Sequence, residues 1–190
     1  MTARQNDSKW MRIAIEQAWL CPATEGAYSV GAVIVDSFEK EIARGYSRET
    51  DGKVHAEESA LAKVSEIDRP RLLGATIYST LEPCSQRASR LLSCTHLILG
   101  AGIPRVVIAW REPSLFLGDC QGVELLEGAG VQVVELDALA AEAKAMNALW
   151  GARTPHRRET WVLGVVRRGG DDQLWRSVCS IWSSFDWPAG

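Results

Sequence analysis

The stretch "GATIYSTLEPC", residues 74–84, joins a run rich in β-branched and aromatic side chains to a proline and a cysteine. Such runs are typical of buried β-strands. Four further runs have strand character: "SVGAVIVD" (29–36), "EIARGYSRE" (41–49), "RVVIAW" (105–110) and "VQVVEL" (131–136). The short "SFEK" between the first two of these predicts a hairpin. The sequence therefore predicts five strands.

Helical patterns alternate with these strands. The segment "SKWMRIAIEQAWL" (8–20) places its apolar residues largely on one side of a helix, with Asp7 or Ser8 as the N-cap. Further helical segments are "HAEESALAKVSEI" (55–67), the region around "THLILGAG" (95–102), "GVELLEGAG" (122–130) and "DALAAEAKAMNALW" (137–150). Strands alternating with helices predict an α/β fold, with three α/β/α layers around a mixed five-stranded sheet.

Composition limits the classes of protein to consider. The formal net charge of -3 argues against a general nucleic-acid binder, which needs a clustered basic face. Residues 150–190 carry six arginines, no lysine and five of the eight tryptophans, so we expect a domain over 1–149 and an extension of unknown role over 150–190. No run of 18 apolar residues predicts a membrane span, and the first ten residues lack the apolar core of a signal peptide. A cytoplasmic location without a disulfide framework is therefore expected.

Residues suited to metal chemistry occur at two points in the chain. His55 and Glu57 lie at the start of a predicted helix, while Cys84 and Cys94 follow the central predicted strand. A His-x-Glu pair alone is more often a solvated helix start, and two cysteines alone are more often core residues. Together, one imidazole nitrogen and two thiolates make three good zinc ligands and leave a fourth position open for water. The pattern predicts a zinc site with the Glu57 carboxylate beside it.

The nine residues between the two cysteines predict a loop. A continuous helix would separate Cys84 from Cys94 by about 15 Å, too far for two ligands of one zinc ion. Residues 85–93 must therefore leave the site and return. The loop would bring Ser85, Gln86 and Arg87 beside the metal, where a guanidinium group could bind a substrate phosphate. Arg90 is as well explained as a solvated surface residue.

His-x-Glu followed by Pro-Cys resembles the signature of the zinc-dependent cytidine-deaminase superfamily over roughly residues 8–149. This sequence departs from the commonest form, which has two residues between the cysteines. The wider spacing after "TLEPCS", with "GYSRE", "DGKVHAE" and "VGAVIVD", resembles the pyrimidine deaminases of riboflavin biosynthesis, in the branch where the deaminase is separate from the reductase. These enzymes act on a diaminopyrimidinone that carries a ribosylamino phosphate.

This resemblance implies hydrolytic deamination of an aminopyrimidine. Zinc held by His55, Cys84 and Cys94 would activate a water molecule, and Glu57 would pass the water proton to the departing amine without binding the metal. The resemblance also implies that the Glu82 carbonyl lies near the leaving amino group and that the protein is a homo-oligomer, in the simplest case a dimer.

Three alternatives remain open. One is another free nucleotide or nucleobase deaminase, of the cytidine, dCMP or guanine type. A tRNA or single-strand deaminase is less favoured, because residues 1–149 carry 20 acidic against 15 basic residues. The third is a non-catalytic, zinc-stabilised binding protein. The presence of Glu57 and of only three protein ligands argues against it, because structural zinc normally has four.

Overall fold

The structure is a computed structural model, and it describes residues 3–24, 27–112 and 120–151 of the chain. The helices are α1 (Ala3–Ala18), α2 (Ala56–Ala62), α3 (Cys94–Gly100), α4 (Gly122–Gly128) and α5 (Ala140–Gly151). The strands are β1 (Gly31–Val35), β2 (Glu41–Tyr46), β3 (Thr76–Ser79), β4 (Arg105–Ile108) and β5 (Gln132–Glu135). Short 3₁₀ turns cover Arg69–Gly74 and Asp137–Leu139. Most of the predicted extension, from residue 152 onward, lies outside the described residues, so its boundary stays a prediction.

The five strands form one mixed sheet in the order β2-β1-β3-β4-β5. Strand β1 pairs antiparallel with both β2 and β3, whereas the β3–β4 and β4–β5 pairs are parallel. The β1–β2 hairpin closes over Asp36, whose Oδ1 accepts the backbone N–H groups of Phe38 at 2.9 Å and of Lys40 at 2.8 Å. The predicted hairpin and the predicted five-stranded sheet are both confirmed.

Helices cover both faces of the sheet. Helix α1 packs on β1 and β3 and contacts α5, while α2 packs on β1 and β2 and contacts α3. Two glycines allow the close approach: a Cβ on Gly31 would lie 2.0 Å from the Ala14 carbonyl oxygen of α1, and one on Gly45 would lie 2.5 Å from the Ala60 nitrogen of α2. The three-layer α/β/α prediction is confirmed. No helix among the described residues is long and apolar enough to cross a membrane.

Helix α1 begins earlier than predicted. It starts at Ala3, so Asp7 lies inside the helix and the predicted N-cap at Asp7 or Ser8 is wrong. Instead of capping the helix, the Asp7 carboxylate accepts two hydrogen bonds from Arg105 at the start of β4, at 2.9 and 2.8 Å. Tyr78 of β3 donates a third at 2.9 Å. The side chain ties the helix to the sheet.

Candidate active site

His55 lies at the N-cap of α2. Its extended backbone, with φ −92° and ψ 161°, precedes the helix, and its carbonyl accepts the N–H of Ser59 at 2.9 Å. The turn before it is closed by Asp51, whose Oδ1 accepts the N–H of Lys53 at 2.7 Å and whose carbonyl accepts that of Val54 at 3.3 Å. The Asp51-Gly52 turn therefore positions the backbone of His55 at the start of α2.

Cys84 and Cys94 come from different elements and converge. Cys84 lies five residues beyond the end of β3, and Cys94 is the first residue of α3, with Ser93 as its N-cap. Thr95 donates both its backbone N–H, at 3.2 Å, and its hydroxyl, at 3.3 Å, to the carbonyl of Cys84. Residues 85–93 thus leave the site and return to it, as their spacing predicts.

The three side chains have the geometry of a metal centre. His55 Nδ1 lies 3.6 Å from the Cys84 sulfur and 3.4 Å from the Cys94 sulfur, and all three ligand atoms lie within 4.8 Å of one another. A tetrahedral zinc site with ordinary Zn–S and Zn–N bonds requires N···S separations of about 3.5 Å. The donor set therefore fits zinc, and its three protein ligands leave a fourth position open.

The two thiols differ in acidity. A hydrogen bond from Cys94, together with the nearby His55 ring, lowers the pKa of Cys84 to about 4. The same hydrogen bond and the full burial of the side chain raise the pKa of Cys94. Although burial opposes it, interaction with Cys84 raises the pKa of His55. Protonation of the pair therefore favours Cys94 over Cys84, and metal binding would displace the protons that the ligands carry.

Glu57 is buried beside these ligands. Only 3% of the residue is exposed, and its Oε1 accepts a hydrogen bond of 2.7 Å from the hydroxyl of Ser79, the last residue of β3. The sequence predicted the role of Glu57 but not its hydrogen bond to Ser79. The available signal was a hydroxyl residue at a buried position of a β-branched and aromatic run.

Arg87 has protein partners for its guanidinium group. Its side chain is 3% exposed, and it donates to Glu58 Oε2 at 2.9 Å and to the Lys53 carbonyl at 2.8 Å. Arg90 donates to the other Glu58 oxygen at 3.2 Å and to Asp51 at 2.6 Å. Glu58 itself was missed, although its position three residues after His55 has capping-box spacing. Phosphate binding by Arg87 stays a prediction.

Two of the other predicted substrate-binding residues, Glu82 and Ser85, accept backbone N–H groups at the start of α4. The Glu82 carboxylate accepts the N–H groups of Glu112 at 3.1 Å and of Val123 at 3.0 Å. The Ser85 hydroxyl accepts the N–H of Gln121 at 3.2 Å. Both side chains therefore anchor the start of α4, while Gln86 is exposed. The substrate roles of Glu82, Ser85 and Gln86 stay predictions.

Cys21 and Cys120 do not join the cluster. Cys21 is half-buried and its thiol donates to the Val30 carbonyl at 3.4 Å. Cys120 is also half-buried, and burial raises its pKa to about 11, so its thiol is protonated at neutral pH. Cys179 lies outside the described residues.

Comparison with known proteins identifies the family. The family model described as the cytidine and deoxycytidylate deaminase zinc-binding region matches residues 4–110, more than half of the chain. The chain belongs to this deaminase family. The resemblance to the cytidine-deaminase superfamily is therefore confirmed. The prediction of a zinc cofactor is confirmed as well, and His55, Cys84 and Cys94 form a cluster suited to hold it.

Several members of the deaminase family are similar to this chain. A diaminohydroxyphosphoribosylamino-pyrimidine deaminase from Schizosaccharomyces pombe is 44% identical over 131 residues, which cover 68% of this chain and 32% of that protein. A cytosine deaminase from Candida albicans is 32% identical over 70% of this chain and 81% of its own length. The chain thus spans about a third of the first relative and most of the second.

A solved structure supports the same fold. The crystal structure of a diaminohydroxyphosphoribosylaminopyrimidine deaminase/5-amino-6-(5-phosphoribosylamino)uracil reductase from Thermotoga maritima superposes with a TM-score of 0.68 and 31% sequence identity. The match covers 80% of this chain and 42% of that one. The mixed sheet and its helices are therefore those of the deaminase family.

Proposed function

We propose that this protein is a zinc-dependent hydrolase that deaminates the diaminopyrimidinone ribosylamino phosphate of riboflavin biosynthesis. The observation that carries the proposal is the buried Glu57 carboxylate beside a three-ligand metal cluster with an open fourth position. A structural zinc site would normally have four protein ligands and would need no buried acid next to them. The arrangement therefore favours catalysis over a purely stabilising role.

The protein groups divide the chemistry among them. Zinc, when bound by His55, Cys84 and Cys94, supplies the Lewis acidity that activates water for attack on an amidine-like carbon. Glu57 accepts the proton of the attacking water on its carboxylate and delivers it to the departing amine, so that ammonia leaves and a carbonyl remains. Burial keeps bulk water from competing for that proton, and Ser79 restrains one of the two oxygens.

The substrate class is supported by the relatives. The proteins from S. pombe and T. maritima are named for this phosphorylated pyrimidine, at 44% and 31% identity over the deaminase region. The second candidate is a free nucleobase substrate, because the C. albicans relative is a cytosine deaminase and the chain covers 81% of it. A homodimeric state and a cytoplasmic location, both expected from the sequence and its resemblance, stay proposals.

Ammonia release tests the proposal. The zinc-loaded full chain is mixed separately with the diaminopyrimidinone ribosylamino phosphate, cytosine, cytidine, dCMP and guanine, with Glu57→Gln as the matched inactive control. We expect turnover of the first compound, and a loss of about 10²–10⁴-fold in the variant with zinc retained. Turnover of cytosine alone would favour the second candidate. No ammonia from any compound, with zinc bound, would favour a non-catalytic zinc protein.

Arg87→Ala tests whether the loop 85–93 binds the substrate phosphate. If Arg87 binds the phosphate, kcat/KM should fall about 10- to 100-fold for the phosphorylated compound and little for its dephosphorylated form, since only the former loses a charged hydrogen bond. Equal losses of kcat/KM for both compounds would instead show that Arg87 holds the loop in place through its hydrogen bond to Glu58.

A further inference from the structure

Ser79 places a buried hydroxyl group on the middle strand of the sheet. It ends β3, follows the buried Ile77 and Tyr78, and is itself 0% exposed. A buried hydroxyl destabilises the fold unless it is hydrogen-bonded. The Ser79 hydroxyl donates to Glu57 Oε1 at 2.7 Å, a distance typical of an O–H···carboxylate bond. The serine is therefore paired with the one acid that the proposed chemistry requires.

The sheet fixes both partners of this bond. Ser79 pairs with Ala32 across β1, and Ala32 pairs with Gly45 across β2, so all three residues lie on the sheet face that carries α2. The absence of a side chain at Gly45 lets α2 approach, because a Cβ there would lie 2.8 Å from the Ala56 carbonyl oxygen. Ala56 directly precedes Glu57. The distance from Ser79 to Glu57 is thus set by rigid elements.

We propose that Ser79 is a positioning residue for Glu57. By holding Oε1, its hydroxyl fixes the rotation of the carboxylate about its terminal torsion, so that the other oxygen is presented to the water and to the leaving amine. The inference rests on the proposed function of Glu57 as the proton shuttle. Without the serine, Oε1 loses the hydrogen bond that restrains it, and the carboxylate can rotate about this torsion.

Ser79→Ala is the primary variant, measured on the zinc-loaded full chain with the substrate that the wild type deaminates. We expect kcat to fall about 10- to 100-fold, the loss of one hydrogen bond to a charged group, while KM changes less than about threefold. Zinc content should stay close to wild type, and a cooperative thermal melt, with its midpoint lowered by the loss of the buried hydrogen bond, shows that the variant is folded. Ser79→Thr keeps the hydroxyl and should recover most of kcat.

Thr80→Val is the matched control. Thr80 is equally buried and one residue further along, and its hydroxyl accepts the Gly31 N–H at 3.2 Å on the α1 face, away from Glu57. Its loss should leave kcat within about twofold of wild type. Equal losses in kcat for Ser79→Ala and Thr80→Val would overturn the inference, since they would reduce Ser79 to a general packing residue.

A double-mutant cycle makes the test independent of the threonine variant. If Ser79 acts through Glu57, Ser79→Ala should lower the residual kcat of Glu57→Gln by less than about twofold. A loss in that background as large as in the wild type would overturn the inference, as would an unchanged kcat for Ser79→Ala alone. A Glu57→Gln variant that retains full turnover would instead overturn the proposed function of Glu57, which keeps the two failures distinct.

Discussion

At the scale of single residues, the metal centre depends on the convergence of Cys84 and Cys94. Cys94→Ala removes a fully buried side chain that we propose as a zinc ligand, and we expect the variant to lose most of its zinc and to unfold at a lower temperature, because metal binding is coupled to folding. Metal analysis and a thermal melt measure both effects. Cys21→Ala is the control, since its half-buried thiol contacts the Val30 carbonyl and should not affect zinc content. Full zinc occupancy in Cys94→Ala would remove this residue from the ligand set.

At the scale of elements, Glu58 in the first turn of α2 binds the loop 85–93 through Arg87 and Arg90. We expect Glu58→Gln to weaken zinc affinity about 10-fold, because groups that orient metal ligands typically contribute 10- to 100-fold. Competition with a chelator measures the change.

Glu66→Gln is the matched control for Glu58→Gln. It breaks an ion pair with Arg69 in which the Glu66 side chain is 85% exposed, and such surface pairs contribute little. If both variants hold zinc as tightly as the wild type, the loop does not need Glu58 to bring Cys84 and Cys94 together.

The contact between α2 and the sheet is a second feature of this scale. Gly45→Ala would place a Cβ 2.5 Å from the Ala60 nitrogen, so α2 must shift, and we expect the free energy of unfolding to fall by about 1–3 kcal/mol. Activity should fall as well, because the shift moves Glu57 away from Ser79. Urea unfolding is the measurement. Gly100→Ala, which meets no atom within 4 Å, should leave stability nearly unchanged.

At the scale of the whole molecule, Asp7 joins α1 to β3 and β4. Burial raises the pKa of Asp7, but hydrogen bonds from Arg105 and Tyr78 and the charge of Arg105 outweigh burial, so the pKa lies below its usual value. A carboxyl group whose pKa is lowered by folding stabilises the protein above its unfolded pKa of about 3.9. That contribution is lost as the pH falls below about 4 toward the folded pKa.

Asp7→Asn should therefore destabilise the protein at pH 7 by about 3 kcal/mol, the lower end of the range for a broken buried pair, because the Arg105 side chain is 24% exposed. The difference from wild type should shrink as the pH falls below about 4. Urea unfolding at pH 7 and pH 3 measures it, with the exposed Asp137→Asn as control. A difference that is independent of pH would show that the Asp7 charge does not link α1 to the sheet.

Local pattern was enough to predict the strands, the hairpin and the three side chains that converge in a cluster suited to a metal ion. Strand character is visible in the run that ends at Ser79, because side-chain shape and alternation report directly on burial. The types of His55, Cys84 and Cys94 report on metal chemistry in the same way, since few other side chains hold zinc. The loop between the cysteines followed from a distance that no continuous helix could meet.

The partners of the polar side chains could not be predicted in this way. Ser79 reaches Glu57 across 22 residues, Arg87 reaches Glu58 across 29, and Arg105 reaches Asp7 across 98. An arginine beside a metal loop looks the same in sequence whether it faces a phosphate or a carboxylate on another helix. Strand order and the close approach of α2 at Gly45 decide which groups meet, and those depend on the packing of the whole sheet.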